Sequence, residues 1–521
     1  MKRSIALLLA GALTASLILS GCAPGGGPEG SPSTNSGEQT LRTDTNQQLF
    51  AEVTSLDPTM NPSSYDLSVM YQIYDSLFEP VDGDYNNLKG ALCERYEVDE
   101  TNTNYTLYIR QGVKWHNGDT LTADDVVFSI QRMLNSPVTQ ARISFITEVT
   151  KIDDYTVGIT CAYPSPRLPA LFSTASMSIV NKKLVEEYGD NAQETVVGTG
   201  AYKLESWEPG GGIVLTSFDE GWRGAPEIKT INYKLITDTN AARIAFQNGE
   251  IDSYYANSST DLDLFQDNPD YTTTPYTTST IDSLAFNLSR TDKWTSNETF
   301  RQAVAYAIDR QALMEITTDG LCQVANSVVA PGNAAYDDGA YPYEYNPEKA
   351  MQLLEECGYD GAEVGLLYTS SYPTSNTWGT TVEGFLAAVG INVKMEGQEY
   401  ASVVQRVTDR DYDMCLFEYS VSFPDPLSSF YAMYRSDGYY NVWQYLSEEM
   451  DQEIMELYGI ANDDERNQRM IDIDRWAKEQ CLYIPSYQQG GYTFRPANLV
   501  SDSVPEPMFG WVRICYSHWT A

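Results

Sequence analysis

The chain has 521 residues, 42% of them hydrophobic and 12% aromatic, with 72 acidic side chains against 33 basic ones and a formal net charge of −39. That length exceeds what one compact core holds and predicts two or three domains. The acidic balance excludes a nucleic-acid partner, since phosphate binding needs a clustered basic surface, and past the amino terminus no apolar run is long enough to span a bilayer.

The amino terminus reads as an export signal. Lys2 and Arg3 form a short basic region, residues 5–19 are mostly apolar, and Leu19, Ser20, Gly21 and Cys22 follow. Basic, apolar, then small residues is the pattern of a secretory signal peptide. The final quartet resembles the bacterial lipobox, whose cysteine is acylated and becomes the first residue after cleavage. The expectation is a lipoprotein signal peptide over 1–21, lipidation at Cys22, and a flexible tether over 22–43. Such a protein is exported and held by its lipid on the outer face of the cytoplasmic membrane. Seven cysteines remain: Cys93, Cys161, Cys322, Cys357, Cys415, Cys481 and Cys515. Odd in number and without a C-x-x-C, they signal neither a disulfide framework nor a zinc knuckle, though one disulfide stays open. Cys161 and Cys415 lie in apolar strand contexts and read as small buried hydrophobes.

Residues 49–53 read as a strand, broken by the T-S-L-D-P run at 54–58, and 69–78 have helical spacing. Tyr105, Leu107 and Ile109 alternate as a strand, and W-H-N-G-D at 115–119 is a turn. Thr122 and Asp125 stand three apart like a capping box, ahead of Val126, Val127, Ile130, Met133 and Leu134 on one helix face. Tyr155, Val157 and Ile159 form another strand. The V-G-T-G-A-Y run at 197–202 marks a boundary, and strands beyond it pass through Trp207 and Val214 to Ile236. A helix is expected over 241–246. A longer one is expected over 297–316, with Phe300, Val304 and Ile308 on one face and Ser296 or Asn297 as cap.

Residues 363–430 carry the plainest pattern: strand, helix, strand, helix, strand. A short apolar run fills 364–368, and Val382, Phe385, Leu386 and Val389 make a helical stripe that stops at Gly390. Ile391, Val393 and Met395 alternate with polar neighbours. Tyr400, Val403, Val404 and Val407 make a second stripe, followed by an apolar run at 414–417. Such alternation predicts right-handed crossovers and a parallel sheet. Ligands of these sheets sit beyond the carboxyl ends of the strands, which draws attention to 418–426, rich in acids, aromatics and hydroxyls.

Catalytic chemistry is thinly represented. His116 and His518 are the only histidines, one in a turn and one near the end, which leaves little for a histidine metal site or a Ser-His-Asp arrangement. H-E-x-x-H, G-x-S-x-G and the P-loop pattern are absent. Gly198 to Gly200 and Gly210 to Gly212 read as turn glycines. The run at 82–86 hints at a calcium loop, but Cys93 stands where its bidentate acid belongs.

Several stretches, in order and at their spacing, carry a family resemblance. They are S-L-D-P at 55–58, G-V-K-W-H-N-G-D at 112–119 with L-T-A-D-D-V at 121–126, G-T-G-A-Y at 198–202, N-G-E-I-D at 248–252, and R-Q-A-V-A-Y-A-I-D-R at 301–310. Gly390 and Ile391 with Val393, Asp425 with Pro426, and Ile484 with Pro485 complete the set. Together they resemble the extracellular solute-binding proteins of the peptide/nickel class, family 5, which includes oligopeptide- and dipeptide-binding proteins of ABC importers.

The resemblance implies an α/β fold: a bilobal periplasmic-binding-protein-like clamshell of type II with an extra inserted domain. Lobe I would be discontinuous, over 44–80, 198–276 and 488–521, with the inserted domain over 81–197 and lobe II over 277–487. It implies a monomeric receptor, not an enzyme, with no cofactor and no bound metal. The lobes would close on a peptide or peptide-like small solute for delivery to a membrane permease complex.

Peptide binders of this class hold the ligand extended, with a charged anchor for its α-amino group. Carried over, Glu52, Val53 and Thr54 would line the cleft from the first lobe. Tyr419 would take the place of a cleft tryptophan, flanked by Glu418 and Ser420, and Tyr487 would face the ligand near the hinge. The chain departs at the ammonium anchor, an acid three residues before the Asp-Pro pair, which is Ser422 here. The arginine that some members carry six residues earlier is Leu416. Either Glu418 or Asp425 takes over the anchor or the ligand lacks a free amino terminus there, and Asp425, ahead of a proline, reads as structural. Other members bind nickel chelates, haem, sugars or antibiotics. A non-peptide solute therefore stays open, as does a surface peptide-sensing receptor or adhesin on the same fold.

Overall fold

Two stretches far apart in sequence meet in the first sheet. In the computed structural model, residues 42–520 are described apart from 50, 61–62, 137–138, 191, 257, 422–423 and 505–510. The signal peptide, Cys22, most of the tether and Ser422 therefore lie outside the described residues. Strand Asp44–Leu49 pairs in parallel with Thr230–Leu235, and the sheet continues antiparallel through Ile213–Ser217 to Tyr202–Trp207. Its apolar side shares a core with Val53, Leu56, helix Ser64–Ile73 and, from the far end of the chain, Leu499, Val512 and Trp519.

A second core gathers residues between Leu77 and Ile179. Strands Cys93–Val98, Asn104–Ile109, Thr156–Cys161 and Ile146–Asp153 form an antiparallel sheet in that order, packed against helix Ala123–Asn135. The expected capping box is present, with the Thr122 N–H donating to the Asp125 carboxylate at 3.0 Å, and Val126, Ile130 and Met133 are fully buried. Asp82 and Gly83, at φ of 50° and 75°, form the tight turn of the hairpin Phe78–Val81 and Asp84–Gly90. Two central residues at positive φ are what a type I′ turn requires, so the sequence resemblance to a calcium loop is explained by turn chemistry.

The W-H-N-G-D turn fastens this unit to the first sheet. His116 donates its backbone N–H to the Gly198 carbonyl at 3.0 Å, while the Gly198 N–H donates to His116 Nδ1 at 3.2 Å. With Nδ1 accepting, Nε2 carries the ring proton and donates to the Gly200 carbonyl at 3.0 Å. Both glycines press on the end of helix Ser64–Ile73, where a Cβ on Gly198 would lie 1.9 Å from the Ile73 carbonyl oxygen. The Thr199 hydroxyl, the Trp222 indole and Arg223 all donate to buried Asp75.

The third region is built on two long antiparallel strands, Tyr271–Phe286 and Tyr483–Pro496. Near Tyr271 they join Tyr254–Tyr255 over a small core with Phe246, Phe265 and Phe494. Towards Phe286 they continue into Met414–Ser420, Val364–Thr369 and Val393–Gln398. The last three strands are mutually parallel and are linked by helices Pro373–Ala388 and Tyr400–Thr408, as the strand–helix alternation predicts. Register between the long strands slips between Thr277 and Ile281. Apolar clusters cover both faces of the wide half.

Several expected boundaries move. The first strand is Asp44–Leu49, not 49–53, and Val53 is instead a core residue at 3% exposure. The helix expected over 69–78 is Ser64–Ile73. The helix expected over 297–316 is two, Glu298–Ala307 and Arg310–Thr318. Asp309 breaks it by capping the second, accepting the Ala312 N–H at 3.0 Å, and Asn297 caps the first. The last parallel strand runs on to Ser420 because Thr280, Ile281 and Asp282 offer it an antiparallel partner. All seven described cysteines are free thiols, and Cys161 and Cys415 are buried as expected.

Candidate functional site

A cavity of ≈ 580 Å³ opens where the first sheet faces the register slip of the long strands. Gln47, Gln48 and Tyr65 line it from the first sheet and its helix, and Tyr255, Tyr276, Thr278 to Thr280, Ser420, Gln489 and Arg495 line it from the sheet of the long strands. The volume lies within the roughly 300–1,000 Å³ typical of small-molecule sites. Its lining is aromatic, amide and hydroxyl in character. Arg495 is the one charged residue among the described residues that line it.

The amides are set differently. Gln72 is fully committed, donating to the Val512 carbonyl at 2.9 Å and accepting the Ile514 N–H at 3.0 Å, and so ties the carboxyl-terminal segment to helix Ser64–Ile73. Gln48, 6% exposed, donates to the Ile236 carbonyl at 3.0 Å, but its Oε1 is buried without a partner. Tyr255 and Tyr276 meet edge to face at 5.8 Å, and burial pushes both phenols above their ordinary pKa, so they act as neutral hydroxyls.

At the other end, Thr280 and Ser420 share a hydrogen bond of 2.6 Å. Behind them Gln489 donates to both Asp282, at 2.9 Å, and Glu418, at 3.1 Å. Asp282 is 5% exposed. Burial, against the Gln489 hydrogen bond and with a further push from the Glu418 charge, raises its carboxyl to about 8, so near neutral pH it holds its proton.

Of the described residues among those expected at the ligand, Ser420 alone lines this cavity. Glu418 stands one step away, exposed, beside Asp282 and Gln489. Tyr419 lies on the opposite face of the strand, in the cluster of Cys415 and Phe417, with its ring 4.3 Å from that of Tyr440. Tyr487 is buried edge-on to Trp378 at 5.8 Å. Glu52 is exposed and accepts the Gly210 N–H at 2.6 Å, and the Thr54 N–H donates to Asp66 at 2.8 Å. Asp425 accepts the Leu427 N–H at 3.1 Å and pairs with buried Arg466 at 3.5 Å, which is a turn-fixing arrangement. Sequence reasoning missed Gln48, Tyr255, Tyr276 and Arg495. The available signal for Arg495 was its rarity, since after Lys478 the chain holds only Arg495 and Arg513 as basic residues besides His518.

The family model described as bacterial extracellular solute-binding proteins, family 5 (middle region), matches residues 87–441. The glutathione-binding protein GsiB of Salmonella paratyphi A is 28% identical over 351 residues, covering 66% of this chain and 68% of that protein. The dipeptide-binding protein of Escherichia coli K12 is 25% identical over 423 residues, covering 75% of this chain and 76% of that protein. In structure, the ABC transporter substrate-binding protein CtaP of Listeria monocytogenes superposes with a TM-score of 0.81 over 92% of this chain and 100% of that one, at 20% identity, which shows a shared fold.

Proposed function

The chain belongs to the bacterial extracellular solute-binding proteins of family 5, and from that membership we propose that it is the receptor of an ABC importer for peptides or peptide-like small solutes. The observation behind this reading is the ≈ 580 Å³ cavity of aromatic, amide and hydroxyl groups at the register slip of the two long strands. Relatives named for glutathione and for dipeptides support a ligand with amide bonds. The receptor acts as a monomer and without turnover.

The lobes in this reading are 44–80, 198–276 and 488–521 for the first and 277–487 for the second, with 81–197 inserted. Separate apolar clusters support the division in outline, with Val180, Val185 and Val196 packing in the first-lobe core rather than in that of the insert. The strands Tyr271–Phe286 and Tyr483–Pro496 pass between them, and the ladder is already interrupted where their register slips between Thr277 and Ile281, which favours bending there. Ligand closes the lobes by binding the closed state more tightly than the open one. Small-angle scattering tests this: the radius of gyration falls when the ligand-stripped protein is saturated with a pool of short peptides or with its own co-purified solute. An unchanged radius with either would refute closure.

Cys22 carries the lipid that holds the receptor beside its permease on the outer face of the cytoplasmic membrane. The support is the basic, apolar and small-residue pattern of 1–21 and the absence, among the described residues, of a helix long and apolar enough to cross a membrane. Cys22→Ala is expected to move the protein from the detergent phase to the soluble fraction, and unchanged partitioning would count against the anchor.

A further inference from the structure

We infer that Arg495 is an anion-binding subsite: the natural solute carries a carboxylate that docks on this guanidinium at the first-lobe end of the cavity. The inference deepens the proposed function and rests on the cavity being the ligand site. Its first support is charge. In a chain of net charge −39, the described cavity lining contains one cation and no Asp or Glu.

The second support is that several other arginines, buried or half-buried, have their forks occupied by protein groups. Arg223 is held by Asp75 and Glu79, Arg132 by Asp57 and Asp190, and Arg42 by Asp252. Arg301 and Arg310 lack a carboxylate but donate to backbone carbonyls, those of Cys481, Thr295, Ser296 and Gln480 for the first and those of Ala325 and Pro485 for the second. Arg495 has neither kind of partner among the described residues. Burial lowers its proton affinity, and the Tyr255 phenol is the sole group acting in the other direction. Arg495 is half-buried and borders the cavity, so its unfilled fork is open to a ligand. Its five N–H donors in a planar fork match a carboxylate.

Position supplies the third support. Arg495 lies opposite Thr272 on strand Tyr483–Pro496 and six residues beyond Gln489, so the two side chains share a strand face. At roughly 3.3 Å per residue they are about 20 Å apart. The acids that Gln489 holds, Asp282 and Glu418, are therefore too far to neutralise Arg495. Gln47 and Arg495 also line a smaller adjoining pocket, which puts the guanidinium against strand Asp44–Leu49. Gln48, the next residue, points from the other face of that strand but borders the same main cavity, and its Oε1 is the one lining amide oxygen buried without a partner, so a ligand that reorients it can offer an amide N–H there. A carboxylate together with an amide N–H is the chemistry of a peptide's carboxyl-terminal residue.

The probes are three tetrapeptide pools offered to the ligand-stripped protein and read by native mass spectrometry. The first has free carboxyl termini and no Asp or Glu, the second is the same pool amidated, and the third is amidated with one Glu. The unsubstituted protein is expected to prefer the first pool over the second by about a hundredfold. Arg495→Gln should abolish that preference while unfolding at the same temperature. Where Arg495→Gln does not fold, Arg495→Lys decides, because a point charge keeps attraction but loses the fork, and the preference should fall about tenfold. Retention of the third pool equal to the first assigns the carboxylate to a side chain and supports the subsite, and weaker retention supports a terminal carboxylate. Equal retention of the first two pools, or a preference untouched by either substitution, overturns the subsite while leaving the peptide reading in place. Retention of no pool by the unsubstituted protein overturns the peptide reading, and this inference with it.

Discussion

Lowering the pH should loosen the joint between the antiparallel sheet of residues 93–161 and the first sheet through one side chain, His116. Its ring accepts the Gly198 N–H at Nδ1 and donates to the Gly200 carbonyl from Nε2, and it sits edge-on to Phe218 at 5.1 Å. Adding a proton puts an N–H at Nδ1 directly against the Gly198 N–H. Burial is the main cause that lowers its pKa from 6.5 to about 4, with the Gly200 carbonyl and Asp75 acting the other way. The folded-state value is depressed, so folding favours the neutral ring. The stability is full above the unfolded value of 6.5 and is lost as pH falls from there through 4. Between pH 7.5 and 4.5 the loss is about 2.5 kcal/mol, from about 1.36 kcal/mol for each unit by which the two values differ. Urea unfolding followed by tryptophan fluorescence at the two pH values measures it, with His116→Gln as reference. The difference between the proteins cancels every other titrating group. Carboxylates such as Glu79, held near 2 by Arg513 and Arg223 against burial, act in a lower window. An identical pH dependence in the two proteins would refute the assigned tautomer and the joint built on it.

Gly198→Ala should destabilise the chain by about 1–3 kcal/mol, because the new methyl meets the backbone carbonyl of Ile73 and something must move. Gly384→Ala, inside helix Pro373–Ala388 with open space around its Cβ position, should instead stabilise it by about 0.5–1 kcal/mol. Thermal unfolding of both variants checks the pair, and shifts of the same sign would contradict it. Asp282→Asn should flatten the fall in stability between pH 5 and pH 8. The raised carboxyl holds its proton in the folded state while the unfolded group ionises above its ordinary value of 3.8, so stability in the parent declines as pH rises from 3.8 towards 8. Parallel pH curves for parent and variant would show that Asp282 is ionised after all.

Local signals read well where one segment makes its own structure. The βαβαβ stretch and the Thr122–Asp125 capping box were legible because periodicity and caps act within a few residues. The strand Asp44–Leu49 was not, since D-T-N-Q-Q-L is mostly polar and becomes a strand by pairing with Thr230–Leu235, far along the chain. The family stretches turn out to be fastenings. Asp57 holds Arg132, His116 holds the Gly198 turn, Asp252 holds Arg42 at 2.7 Å, Asp309 caps a helix and Asp425 fixes a turn. They make the scaffold recognisable, whereas the cavity takes its groups from segments around 47, 65, 255, 276, 420, 489 and 495 that meet on folding.

The fate of 418–420 shows why adjacency in sequence misleads about a site. Read as a loop beyond a strand, Glu418, Tyr419 and Ser420 can all turn towards a ligand. Paired with Asp282, Ile281 and Thr280, they are strand, and a strand sends neighbours to opposite faces. Glu418 and Ser420 then share the face of Asp282 and Thr280, while Tyr419 joins Phe417 in the core behind. The partner that decides this, Tyr271–Phe286, lies some 140 residues upstream, as the direct bond between Thr280 and Ser420 records. Its run Y-T-T-T-P-Y-T-T-S-T is polar for ten residues before the apolar end. A strand that borders an open cavity between Tyr276 and Thr280 has little apolar area to bury there, so hydrophobic periodicity is silent over the stretch that lines it.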